Sequence, residues 1–172
     1  MRLNTGRLLA VLLVLGAVQS ASAQATQPER RENIVTQRAT GSFDVKLTPQ
    51  PVHDGADGIV GRNSMAKEFR GELAGTSRGE MLAYWSAETG SGVYVAIERV
   101  TGTVGGRSGS FLLAHKGIMD RGAGPPLDIT VVPDSGDGEL KMITGRMQII
   151  LEGGRHDYVF EYTLPGGEAE SR

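Results

Sequence analysis

The stretch from Gly92 to Lys116 constrains the fold of this chain more than any other, because it predicts two β-strands joined at Gly105-Gly106. A tight primed turn needs positive φ angles, which glycine adopts without strain, and Gly-Gly between two β-prone runs is a strong hairpin signal. A two-residue turn places Val104 opposite Arg107, and a three-residue loop would change the register. Counting outwards from a two-residue turn, four side chains share one face: Tyr94, Glu98, Phe111 and His115.

The rest of the chain repeats the period-2 alternation of apolar and polar residues that is typical of half-buried strands. Glycine is frequent, with 25 residues, and it separates the strand-like runs. About eight strands in simple succession can bury their edges by closing into an up-and-down antiparallel barrel, and a β-sandwich is the alternative. The predicted strands cover residues 40–47, 64–74, 76–87, 92–104, 107–116, 127–132, 139–151 and 156–164.

The first residues have the pattern of a secretory signal peptide. Arg2 and Arg7 precede an apolar run that is too short to span a bilayer comfortably, and the small residues Ala21 and Ala23 predict cleavage after Ala23. An uncleaved N-terminal anchor is the alternative. We therefore expect a periplasmic or secreted protein with four segments. These are a signal peptide (1–23), a flexible lead-in (24–39), a barrel domain (40–164) and a disordered tail (165–172).

Composition excludes several classes of function. The formal net charge is -2, with 18 Lys and Arg against 20 Asp and Glu, so nothing marks a nucleic-acid surface. The chain has no cysteine, which excludes disulfides, thiolate metal sites and thiol catalysis. Its three histidines, His53, His115 and His156, have no local ligand spacing, so we expect no metal and no other cofactor.

Glu98 and His115 are the candidate catalytic residues. A carboxylate beside an imidazole can orient the ring and raise its basicity for proton transfer. The pair can equally be structural, or lie on an exterior face in contact with solvent. Arg99 lies on the opposite face of the same strand, so the sequence leaves open which face lines the lumen.

The candidate ligand-binding residues are of two kinds. Tyr94, Phe111 and Tyr158 suit a planar or lipid-like ligand inside a barrel. Arg107 and Arg146 can receive a carboxylate or phosphate headgroup. Structural pairing of these arginines with Glu68, Glu72 or Glu161 is the alternative.

Several segments together resemble a bacterial family of uncharacterised proteins, domain of unknown function 3224. The most specific piece is Glu98-Arg99 followed by GRSGSF (106–111) and His115, and the resemblance runs from about Gly41 to Leu164. It implies a single eight-stranded antiparallel barrel similar to that of plant allene oxide cyclase, often associated into oligomers. The resemblance implies no known activity. The polar cavity residues of the cyclase cannot be matched individually to positions in this chain, so no residue role is carried over.

Three functions follow as hypotheses. The first is a barrel that binds a small apolar or lipid-like ligand in its lumen, since small barrels commonly enclose one ligand. The second is an isomerase or cyclase type of enzyme that uses Glu98 and His115. The third is a homo-oligomeric structural or interaction module. After removal of the signal peptide, we expect no stable membrane span.

Overall fold

The computed structural model describes residues 35–52, 59–124 and 126–166, and these residues form β-strands joined by turns. The predicted signal peptide, most of the lead-in, His53 and the last six residues lie outside the described part. The strands are β1 (Gln37–Gln50), β2 (Gly61–Gly71), β3 (Leu73–Trp85), β4 (Gly92–Val104), β5 (Arg107–Met119), β6 (Asp128–Val131), β7 (Asp137–Gly138), β8 (Thr144–Glu152) and β9 (Arg155–Thr163).

Eight of the strands close into an antiparallel barrel, as the sequence predicts. Strands β1 to β6, β8 and β9 pair in chain order, and the ring closes where β9 pairs with β1. The two-residue β7 adds to β5 outside this ring. Val104 pairs with Arg107 in the β4–β5 hairpin, and Ala96 pairs with His115, which confirms the register predicted from Gly105-Gly106.

One end of the barrel, here called the closed end, is filled by side chains. It carries the Gly105-Gly106 turn and the segment 132–143, whose Leu140 and Ile143 are buried against the strands. The rings of Phe111 and Phe160 stack with their centroids 5.6 Å apart. This half of the lumen is therefore an ordinary apolar core.

The other end, here called the mouth, is more open. It carries the β3–β4 and β8–β9 turns. The exposed fraction of the interior-facing side chains increases toward it. Along β8, Met147 is 1% exposed and Leu151 is 65% exposed, with Ile149 half-buried between them. The same gradient runs along β1 from the buried Phe43 to Leu47, which is 46% exposed. The barrel thus has one packed half and one half with accessible apolar walls.

Several strand boundaries differ from the predicted ones. The strands predicted over 64–74 and 76–87 are β2 (Gly61–Gly71) and β3 (Leu73–Trp85), because the chain turns at Gly71, whose φ is +110°. β1 begins at Gln37 and continues through Pro49. Proline is tolerated there because pairing with β9 ends at Phe43, so the side of Pro49 that faces away from β2 has no ladder partner. The predicted strand over 139–151 was wrong at its start, since β8 begins at Thr144. Met142 has a φ of +68°, and this turn inserts Leu140 and Ile143 into the closed end. No helix among the described residues is long and apolar enough to cross a membrane.

Candidate functional site

A cluster of four polar side chains lies inside the barrel between the packed core and the mouth. Its centre is Glu98, which β4 directs into the lumen and which is fully buried. The partner of Glu98 in β3 is Gly79, where an added Cβ would lie 2.6 Å from the Cβ of Glu98. The glycine therefore leaves the space that the carboxylate stem occupies. The members, here called the lumen cluster, are Lys67, Ser77, Glu98 and His115.

His115 contacts Glu98, as the candidate catalytic pair requires. Its Nε2 lies 2.8 Å from Oε1 of Glu98, and its side chain is 2% exposed. The contact does not have the geometry of a regular hydrogen bond, so Nε2 has no well-aligned partner among the described residues. This placement rules out the interpretation in which Glu98 and His115 meet solvent on an exterior face.

Lys67 is the third member of the cluster and was missed as a site residue by sequence reasoning. Its Nζ lies 2.7 Å from Oε1 of Glu98, its side chain is 3% exposed, and the ammonium lies 4.8 Å from the centroid of the Phe43 ring. The signal was present in the alternation of β2, because Lys67 shares a face with Met65 and Phe69. A lysine at an interior-facing position needs a buried counter-charge, and Glu98 supplies it.

Ser77 is the fourth member and also escaped prediction. Its hydroxyl donates a hydrogen bond to Oε2 of Glu98, while Lys67 lies directly opposite Ser77 in the β2–β3 ladder. Each oxygen of the Glu98 carboxylate is therefore in contact with a donor. This arrangement holds the carboxylate in one orientation.

The environment of Glu98 favours its charged form. Burial alone would raise the pKa of this carboxyl, but the contacts from His115 and the positive charge of Lys67 outweigh it and lower the pKa from 4.5 to about 2. A carboxylate with such a pKa is a weak base at neutral pH. Glu98 is thus suited to hold and orient its neighbours rather than to abstract a proton.

Tyr94 lies on the mouth side of the cluster. It faces the lumen two positions from Ala96, and its ring packs over the bare backbone of Gly117. Burial raises the pKa of its phenol, and the negative charge of Glu98 acts in the same direction. Of the five predicted ligand-binding residues, Tyr94 is the one that lines the half of the lumen beside the mouth, where a ligand could reach it.

Phe111 and Tyr158 lie in the packed half instead. Phe111 is buried in the core. The Tyr158 hydroxyl accepts a hydrogen bond from the backbone N–H of Leu73 at 2.9 Å, and it lies 3.1 Å from the Leu73 carbonyl oxygen. Both rings therefore act as structural parts of the barrel wall in this arrangement.

Arg107 and Arg146 are both remote from the lumen cluster. Arg107 donates to the carbonyl oxygens of Pro165 and Gly166 at 2.9 and 3.1 Å, which ties the end of the described chain to the closed end. Arg146 lies on the outer surface, with Nη1 3.6 Å from Oδ1 of Asp128. The predicted glutamate partners of these arginines are not the ones that the structure brings closest. Within the described ranges, no three His, Asp or Glu side chains converge as metal ligands.

Comparison with known proteins places the barrel in a family. The profile of the family described as "Protein of unknown function (DUF3224)" matches residues 39–162. The chain belongs to this family. A crystal structure of a DUF3224 protein of unknown function from Shewanella oneidensis MR-1 is 46% identical in sequence, with a TM-score of 0.70. That similarity covers 77% of this chain and 100% of the other. A search of curated proteins found no match.

The DUF3224 membership agrees with the resemblance drawn from the sequence. The match includes all members of the lumen cluster, from Lys67 to His115. The family description states no function.

Proposed function

We propose that this DUF3224 protein acts after export as a binding protein for a small apolar ligand, which it holds in the half of its lumen beside the mouth. The observation that carries the proposal is the gradient of exposure along the interior face. Side chains at the closed end are fully buried, whereas apolar interior-facing side chains at the mouth remain accessible. Exposed apolar surface in a concave position is the usual character of a small-molecule site.

The lumen cluster supports this proposal by forming the floor of the open half. A buried ion pair contributes little net stability compared with apolar residues of the same volume, so packing alone gives no reason for Lys67 and Glu98. Buried polar groups at the base of an apolar pocket typically fix the orientation of a ligand. The ligand we propose is therefore mainly apolar, with one polar end that faces the cluster.

Trp85 provides a direct test, because it is the single tryptophan of the chain and lies at the mouth. Its ring packs over Gly92 on the interior side and is 54% exposed. Titration with octanol should shift the Trp85 fluorescence in a saturable manner. Native mass spectrometry after incubation with a lipid extract should recover a bound species.

A pair of adjacent variants separates lumen binding from surface binding. Ile149 faces the lumen and Ile150 faces outward on the same strand. Ile149→Thr should weaken octanol binding, whereas Ile150→Thr should leave it unchanged; both retain a β-branched side chain. Equal effects of the two variants, or no saturable signal in the wild type, would reject the proposal.

Export is a separate part of the proposal and rests on the N-terminal sequence. The mature protein should begin at Gln24. Mass determination of the protein recovered from the periplasm or the medium tests this. An intact N-terminus on a cell-associated protein would favour the uncleaved anchor.

A second candidate function is proton transfer of the isomerase or cyclase type, favoured by the contact between His115 and Glu98 inside one lumen. In this candidate His115 moves the proton and Glu98 orients the imidazole, because a carboxylate of pKa about 2 is a weak base. Incubation with octanone in heavy water should show deuterium uptake beside the carbonyl. His115→Phe should abolish the uptake and His156→Phe should retain it; uptake that is equal in both variants would reject this candidate.

A third candidate is association of the barrel with a second copy of itself. Six large apolar side chains lie exposed on the outer surface of β3, β4 and β5, here called the outer apolar face: Leu82, Tyr84, Val93, Val95, Ile97 and Ile118. They are neighbours in the ladder, so they form one patch rather than scattered residues. A patch of this kind on a soluble barrel marks an interaction surface.

The charges beside the outer apolar face favour a second copy as the partner. Glu80 lies next to Ile97 on the β3 side, and Lys116 lies next to Val95 on the β5 side. A two-fold axis through the patch would bring Lys116 of each copy toward Glu80 of the other, which makes the surface self-complementary.

A further inference from the structure

Lys67 has a chemical property that simple ligand binding does not use. Of the four lysines in the sequence, three (Lys46, Lys116 and Lys141) are exposed, and Lys67 alone is buried inside the barrel. It lies below the apolar mouth, in contact with Glu98 and with the faces of Phe43 and Phe69. Lysine amines are the protein nucleophiles that form Schiff bases with carbonyl compounds.

We infer that Lys67 is a covalent attachment site for an apolar aldehyde or ketone, which it binds as an iminium ion. This inference rests on the proposed binding in the half of the lumen beside the mouth, and it names the class of ligand. Three observations carry it: the burial of Nζ, the 2.7 Å contact with Glu98, and the accessible apolar wall above the cluster.

The charge balance of the reaction suits this site. The ammonium form of Lys67 and a carbonyl compound give an iminium ion and one water molecule, and both sides of the equation carry a single positive charge. Glu98 therefore keeps an opposite charge at every stable stage. A reaction that removed the positive charge would leave a buried carboxylate unpaired, which is costly.

The protons of the reaction are accounted for by Lys67 and the carbonyl compound alone. Nζ gives one proton to the carbonyl oxygen and its lone pair attacks the carbonyl carbon, so that the C–N bond forms while Glu98, 2.7 Å away, stays ionised. The same oxygen then takes a second proton from Nζ, the C–O bond breaks, and the oxygen leaves as water. Because Glu98 is a weak base, it keeps its negative charge beside the positively charged nitrogen throughout.

The rings around Lys67 fit the product as well as the free side chain. An ammonium ion is attracted to the faces of Phe43 and Phe69, and an iminium ion carries the same charge. Half-buried Met81 lies on the interior face of β3, on the mouth side of Ser77. Because methionine is unbranched and flexible, it can repack around an incoming chain.

The test uses octanal with cyanoborohydride, which reduces an iminium ion to a stable secondary amine and leaves the free aldehyde largely unreduced. Incubation of the full mature protein with limiting octanal and cyanoborohydride should add one octyl group, and peptide mapping should locate it at Lys67. The variant Lys46→Arg/Lys116→Arg/Lys141→Arg changes exposed residues and retains Lys67, so it should label as the wild type does. Lys67→Arg keeps a positive charge beside Glu98 and should lose the label.

Octanol serves as the matched ligand that cannot form an iminium ion. It should bind without a covalent product and should protect Lys67 from octanal. If octanol binds but the label is absent from Lys67, or is spread over the exposed lysines, the inference is wrong and the proposed binding function stands. If octanol does not bind and Lys67 is still labelled, the proposed function is wrong and the reactivity of Lys67 stands. Failure of both rejects both.

Discussion

At the scale of single residues, the lumen cluster places opposite charges where the surrounding packing is apolar. Glu98 is held by Lys67, Ser77 and His115, and its burial would be unfavourable without them. The consequence is a stability that depends on the ionisation of one carboxyl group. That dependence has a definite sign, since the folded protein lowers the pKa of Glu98.

The first prediction concerns acid. The pKa of Glu98 falls from 4.5 in the unfolded chain to about 2 in the barrel, so its contribution to stability is complete above pH 4.5 and is lost as the pH falls toward 2. The contribution should be of order 3 kcal/mol. Urea unfolding of wild type and Glu98→Gln at several pH values measures it.

Glu98→Gln should be about 3 to 5 kcal/mol less stable than wild type at pH 7, because it leaves Lys67 charged and buried without a partner. The difference should shrink as the pH approaches 2. A difference that stays constant over this range would contradict the prediction. Titration of the Glu98 carboxyl by NMR in the wild type provides a second measurement if the variant does not fold.

The second prediction concerns Tyr158, whose hydroxyl joins β9 to the beginning of β3. Tyr158→Phe leaves the backbone N–H of Leu73 without its partner and should cost about 1 to 3 kcal/mol in unfolding free energy. Octanol affinity should remain unchanged, because Tyr158 lies in the packed half. A loss of affinity at unchanged stability would show instead that Tyr158 belongs to the ligand site, as the sequence first indicated.

At the scale of elements, the hairpin was predictable and the site was only partly so. Gly105-Gly106 fixed the register of β4 against β5, and the register alone placed Glu98 and His115 on one face. The sequence did not decide which face lines the lumen, because Arg99 occupies the other. The structure decides it through Gly79, which leaves space for Glu98 inside, while Arg99 donates to Ser110 at 2.7 Å on the outside.

Lys67 and Ser77 were missed because their role depends on contacts between strands distant in sequence. Lys67 and Glu98 are 31 residues apart, and no local pattern reports such a pair. Tyr158 and Phe111 were assigned to a ligand because an aromatic stripe looks the same in a packed half and in an open half. The difference comes from Leu140 and Ile143, which fill the closed end from a segment that was predicted to be a strand.

The third prediction tests the hairpin turn. Both glycines have positive φ angles, +57° at Gly105 and +73° at Gly106, so an alanine at either position should cost about 1 to 2 kcal/mol. Gly105→Ala should cost more, since its Cβ would lie 2.5 Å from the Tyr162 hydroxyl, whereas nothing lies within 4 Å at Gly106. Urea titrations of the two variants should rank them in this order, and equal midpoints would contradict it. Gly106→Asn serves as a control that tolerates the left-handed conformation.

At the scale of the whole molecule, the barrel separates its two kinds of apolar surface. The inner one is concave and suits a small ligand, and the outer one is the outer apolar face on β3 to β5. Closing the ring pairs every barrel strand on both sides over part of its length, although β1 beyond Phe43 has no partner on its β9 side. A second copy on the outer apolar face would pack side chain against side chain.

The fourth prediction tests this association. Val95 lies at the centre of the outer apolar face, and Val95→Lys would place a charge between two packed copies, where desolvation is unfavourable. Light scattering after size-exclusion chromatography should give a dimer or larger oligomer for wild type and a monomer for Val95→Lys. Thr101→Lys, at an outward-facing position of the same strand but beyond the patch, should leave the wild-type mass unchanged.

A monomeric wild type at high concentration would rule out self-association through this face. In that case the apolar side chains of β3 to β5 would need a different partner, and octanol binding in the lumen would be unaffected, because the two surfaces lie on opposite sides of the same strands.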